Sequence, residues 1–303
     1  MRLVELEHRV ELGEPDPAGG PVDLWVPVPV DDAHQSVEIL ERPAGAAPEG
    51  PDRHGNRWFH LRLLPAPAAA PAMVFPGPRR FTFRYRILRI PELGGAEAGG
   101  RAPVDRELYR LPAVPEEYRA ELERRARRAA PEGRGEPFAV ARALYDFVLE
   151  EMAPGTHQPG AGSADTARAL DAHAGLAPDY AALFVDLARS RGLPARFHAG
   201  RLLPEGRPRG VLGRPHAWAS FEVPGFGWIP VDPERADRSP GRAEAWFGRL
   251  PADRILFTTG RTLDLEPVQT GPPLPWLAGA YAEQDGAALR LTEILEFQDR
   301  PLR

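Results

Sequence analysis

His216 and Asp232 are the two residues of this chain best placed to do chemistry together, because they bracket the segment HAWASFEVPGFGWIPVD. Its alternation around Pro-Gly predicts a hairpin. With the turn centred near Pro224, the two-residue period sets His216, Trp218 and Ser220 on one face. The same register lays His216 opposite Asp232, Trp218 opposite Pro230 and Ser220 opposite Trp228. An imidazole oriented by a carboxylate is the general base of nucleophilic catalysis.

Such a base needs something to activate. A thiol is most readily ionised at a helix N-terminus, where unpaired N–H groups and the dipole stabilise the thiolate. The stretch from Pro178 to about Gly192 predicts that helix, with proline in its first turn, glycine at its end and Tyr180, Leu183, Phe184 and Leu187 as its buried stripe. Ala177 stands at its mouth, and the chain contains no cysteine. As a cap, alanine would be about 0.5 to 2 kcal/mol worse than Ser, Thr, Asp or Asn. The hydroxyls on offer are Thr156 and Ser163 in the preceding loop and Ser220 on the histidine's own strand, none inside an activating motif. His157 and His173 bracket a glycine-rich loop, but no third ligand has metal-site spacing, so neither a metal nor a cofactor is expected.

The elements that must carry these residues fall into two groups. Up to residue 92 the chain reads as strands: Leu24, Val26, Val28 and Val30 alternate, as do Trp58, His60, Arg62 and Leu64, and Phe81, Phe83, Tyr85 and Ile87. A small β-sandwich over residues 1–92 follows, with the proline-bearing LWVPVPV at an edge. PELGGAEAGGRAP has linker composition and puts the boundary at residues 93–104. Beyond it, residues 105–303 predict helices at about 115–130 and 137–152, then strands at about 195–203, 215–223 and 227–232, an α+β core with a β extension to the C-terminus. The first helix opens on Glu116 and Glu117 and closes on arginines, as the dipole favours.

Three motifs carry a family resemblance: DYAALFVDLARSRGLPAR at residues 179–196, HAW at 216–218 and GWIPVDP at 227–233. They resemble the core of bacterial transglutaminase-like proteins, relatives of the papain-type cysteine-protease fold. The resemblance runs on through WFG, RILFTTGRTLDLEP and YAEQDG, and back to DRELYRLP. It implies helices packed on an antiparallel sheet, with position 177 as the nucleophilic cysteine, His216 as general base and Asp232 as its orienting acid. In active relatives the cysteine attacks a carboxamide or peptide carbonyl, and an amine or water resolves the acyl-enzyme. This chain departs at the decisive residue and again at Leu176, Pro178 and Ser220, so inherited loss of the thiol explains more than a single Cys-to-Ala replacement would.

The expectation is a pseudoenzyme whose remnant cleft binds a peptide or protein segment, with Trp218, Trp228 and Tyr180 as substrate-binding residues. A formal charge of -5 excludes a general nucleic-acid or anionic-membrane partner. MRLVELEHRVEL lacks a signal peptide's apolar run, and no stretch is long enough to span a membrane, so the cytoplasm is the expected location. All 38 basic residues are arginine, so the protein cannot itself offer a lysine amine to a crosslink. One asparagine and 36 prolines suit a thermophile, and high-GC coding equally well.

Overall fold

The computed structural model describes residues 1–16, 18–64, 79–94, 106–131, 136–155 and 159–302. The first half of the chain gives strands β1 (Arg2–Leu12), β2 (Val22–Val28), β3 (Gln35–Glu41), β4 (Pro48–Glu49), β5 (Arg57–Leu63), β6 (Arg80–Arg89) and β7 (Glu92–Leu93). Helices α1 (Glu116–Ala129) and α2 (Pro137–Glu151) follow, then the short β8 (Ala153–Pro154), α3 (Thr166–Ala172), β9 (Ala174–Gly175) and the central α4 (Ala177–Ser190). Next come β10 (Ala195–Leu202), β11 (Arg209–Val211), β12 (Pro215–Val223), β13 (Gly227–Val231), α5 (Pro233–Asp237), β14 (Arg249–Leu250) and β15 (Arg254–Thr259). The chain closes with β16 (Tyr281–Gln284), β17 (Ala287–Ala288) and β18 (Leu291–Arg300).

Two five-stranded sheets, in the orders β11-β18-β1-β6-β3 and β17-β16-β2-β5-β4, make the sandwich. Their inner faces meet through Val4, Leu6, Phe83 and Tyr85 on one side and Leu24, Val26 and Phe59 on the other. The alternation read from the sequence is the cause, since every second residue points into the shared core. Two expectations change. The sandwich does not end at residue 92, because β18 pairs along the length of β1, from Leu3 with Arg300 to Leu12 with Leu291, and β16 pairs with β2. Nor is β2 an edge strand: it lies between β16 and β5. Its pairing with β16 runs only from Val22 to Trp25, so Pro27 sits where β5 is the one neighbour and its missing N–H is not needed. Residues 95–105, most of the expected linker, lie outside the described residues.

The second body is an antiparallel sheet in the order β13-β12-β10-β15, with α4 packed on β12 and β10. α4 is apolar nearly all round, and Tyr180, Leu183, Phe184 and Leu187 are each fully buried. A helix of that kind belongs inside a fold, and α1, α2, α3 and α5 all contact it. β15 joins the two bodies. Ile255 and Phe257 face the sandwich core, while Leu256 faces the helical one. Its outer backbone is met by side-chain amides from the sandwich: Gln35 accepts from Leu256 N at 2.9 Å and donates to Leu256 O at 2.8 Å, and Asn56 does the same with Thr259, both at 2.8 Å. An open sheet edge thus becomes a fixed seam.

Candidate functional site

β12 presents His216, and Asp232 stands just past β13, where it caps α5 by accepting from Arg235 N at 3.2 Å. The hairpin register is two residues off the expected one: Ala219 pairs with Val231, Ser220 with Pro230 and Glu222 with Trp228. The turn centres on Gly225, which adopts φ 81°, rather than on Pro224. A shift of two keeps the face of every side chain. His216 and Asp232 therefore still meet as diagonal neighbours, with Nε2 of His216 donating to Oδ2 of Asp232 at 2.8 Å.

The same oxygen accepts a second bond, from Arg254 Nη1 at 2.8 Å. Asp232 and Arg254 are fully buried. Burial would raise the carboxyl, but His216 and Arg254 together hold it well below the ordinary aspartate range. Arg254 in turn stacks on Trp218, 5.1 Å from its ring centre, and Trp218 lies between His198 and His216 at 5.8 and 6.3 Å. Nothing in the local sequence marked Arg254, which arrives from the seam strand.

The opposite ring nitrogen of His216 has no partner within hydrogen-bonding distance among the described residues; Glu234 Oε2 lies 3.9 Å from it. His216, Asp232 and Glu234 offer ligand atoms within 4.8 Å of one another. The two carboxylates flank opposite ring nitrogens and Asp232 already holds a guanidinium, so the set suits orienting an imidazole better than sharing one cation.

Ala177 is the first residue of α4, one position past the cap, which is Leu176. Capping falls to Asp179, whose carboxylate accepts from Leu176 N at 2.9 Å, Gly162 N at 2.6 Å and Ala164 N at 3.2 Å and pairs with Arg168 at 2.8 Å. The poor cap expected of Ala177 is thereby corrected. Asp179 also ties the 160–164 loop to the helix, and Trp276 Nε1 donates to Gly162 O at 2.9 Å from the other side.

Ala177 and His216 line one cavity of about 480 Å³. Leu176, Pro178, Leu202, Pro215 and Trp276 form its apolar wall, with Arg214, Glu234, Arg235 and Arg238 around it. The three expected substrate-binding residues are not in that lining. Trp218 and Tyr180 are buried behind it, and Trp228 lies under Arg196 and edge-on to Tyr109 near the hairpin's far end. Periodicity assigned the correct faces but could not tell a wall from the packing behind it; Trp276, which is there, lies in a Pro-rich segment with no period to read. Of the hydroxyls, Ser220 bonds to His198 Nε2 at 2.8 Å instead of His216, and buried Ser163 Oγ has no hydrogen-bond partner. Thr156 and His157 lie outside the described residues, and His173 pairs with Glu151 at the surface.

Residues 125–233 match the model of the transglutaminase-like superfamily. An uncharacterised protein of Haemophilus influenzae is 27% identical over 196 residues, which cover 54% of this chain and 53% of that protein; the chain thus spans about half the length of this curated relative. Among solved structures, a candidate cysteine protease from Cytophaga hutchinsonii aligns over 100% of this chain and 92% of its own with a TM-score of 0.60 at 14% identity, a likeness of fold. The helices packed on an antiparallel sheet, with the strand-rich region before them, are the transglutaminase-like, papain-like arrangement. Among the described residues no helix is long and apolar enough to cross a membrane.

Proposed function

Since residues 125–233 carry a transglutaminase-like domain in a chain without cysteine, we propose that this protein is a catalytically silent relative that holds a peptide or protein segment over Ala177 and His216 without turning it over. One observation carries the reading: the methyl of Ala177 and the Asp232-oriented imidazole line the same cavity, so the frame for acyl chemistry is present and its attacking atom is not. A methyl group cannot ionise, and neither Ser163 nor Ser220 hydrogen-bonds to His216. The cavity, apolar with a few charged groups at its margin, has the character of a binding site. Calorimetry against peptide libraries tests this. Saturable binding that weakens in Trp276→Ala and His216→Ala is expected; its absence sinks the proposal.

A second reading rests on the ring nitrogen of His216 left open beside Glu234. Water held there could be activated for hydrolysis without a protein nucleophile. A broad amidase and peptidase screen separates the two: equal background rates for the protein and its His216→Ala variant eliminate hydrolysis.

A further inference from the structure

We propose that the segment bound over His216 is recognised by an acidic side chain, its carboxylate seated among Arg214, Arg235 and Arg238. This rests on the peptide-binding reading above and adds to it the charge of the ligand.

Three guanidinium groups and one carboxylate border the cavity. The carboxylate, Glu234, is engaged by Nε of Arg238. Arg214 is exposed and forms no ion pair among the described residues. Arg235 lies over the Trp246 ring at 4.6 Å, with its nearest carboxylate, Asp253, 3.9 Å away and its buried Nε without a hydrogen bond. Stacking fixes that guanidinium in place and leaves donors unspent. The charge of Asp232 does not oppose an incoming anion, because Arg254 already offsets it. Nδ1 of His216, a residue only 5% exposed, has no hydrogen-bond partner among the described residues, and the positive end of the 14-residue α4 points to the same cavity at Ala177.

The complementary group is a carboxylate on a short aliphatic stem. Leu176, Pro178, Leu202 and Trp276 receive the stem and the arginines receive the head, which suits glutamate. Glutamine has the same shape without the charge, and lysine places like charge against the rim. The comparison of these three side chains therefore isolates the electrostatic part of recognition.

The test is calorimetric titration of the full chain with acetylated, amidated Gly-Ala-Xaa-Ala-Gly, where Xaa is Glu, Gln or Lys, and with the Gln peptide bearing a free C-terminus. The Glu peptide should bind about tenfold or more tightly than the Gln peptide, the scale of one charge-assisted hydrogen bond. High salt should shrink that preference. In the Arg214→Gln, Arg235→Gln double variant it should fall to within about twofold. Arg214→Gln alone, at an exposed residue with no ion pair among the described residues, should lose part of it and guards against a folding defect in the double variant. Saturable but equal binding of Glu and Gln peptides overturns the acidic preference and leaves peptide binding standing. No binding by any peptide overturns both. Tighter binding of the free C-terminus than of the internal glutamate overturns the assignment to a side chain.

Discussion

His216 and Arg254 donate to the same oxygen of Asp232, each at 2.8 Å. The site's carboxylate is therefore gripped from the β12–β13 hairpin and from the strand that joins the two bodies of the fold. Arg254→Met leaves Oδ2 of a buried carboxylate with one partner in place of two, and breaking a buried pair costs about 3 to 5 kcal/mol. Urea unfolding at neutral pH measures this. Asp232 lies below its ordinary value, so its contribution is complete above about pH 4 and is lost as the pH falls through the depressed value. Without Arg254 the depression shrinks. The variant should lose its near-ultraviolet circular dichroism at a higher pH than the parent on acid titration.

Ala177→Cys restores a thiol at the first residue of α4, in the cavity that His216 lines. Its rate of alkylation by iodoacetamide should rise with a midpoint well below the free-thiol value of about 8.5. Adding His216→Ala should move that midpoint back up. A midpoint near the free value in the single variant would show that the dyad does not address position 177.

Asp179 serves the cap of α4 and the loop that borders the cavity, through three backbone N–H groups and Arg168. Asp179→Ala orphans all of them and should cost about 2 to 4 kcal/mol, a cap plus at least one unsatisfied buried donor. Asp179→Asn, which keeps the shape, should cost less. Thermal unfolding followed at 222 nm ranks the two.

Glu293 accepts from His8 Nε2 and Ala280 N, each at 3.0 Å, and pairs with Arg201. Burial would raise its carboxyl, but these partners bring it down to about 2. Its contribution is full above the ordinary glutamate value of about 4.3 and is lost as the pH falls towards about 2. Glu293→Gln should be less stable at neutral pH and lose less on acidification, so the two unfolding curves converge at low pH.

The sequence made legible whatever repeats locally. The stripe of α4, the limits of α1 and α2, and the shared face of His216 and Asp232 are periodic signals, and the last survived a register error of two residues because two is the period of a strand. Partners far along the chain leave no such trace. Arg254 and Trp276 are brought to His216 only by the tertiary fold, and β18 reads the same whether it extends the core or completes the sandwich. Burial behind the cavity, which keeps Trp218 and Tyr180 out of its lining, likewise depends on which layer covers a face.

The pairing of β1 with β18 sets an order of assembly on the ribosome. Almost all of the helical core lies between residues 114 and 256 and can collapse as soon as it emerges. The sandwich cannot close until β18 is made, so the apolar face of β1, with Leu6 and Val10, must wait with one flank open until residues 291–300 have been added. In a newly made chain the vulnerable stage thus falls in the region remote from the site, while the cavity over His216 is taking shape.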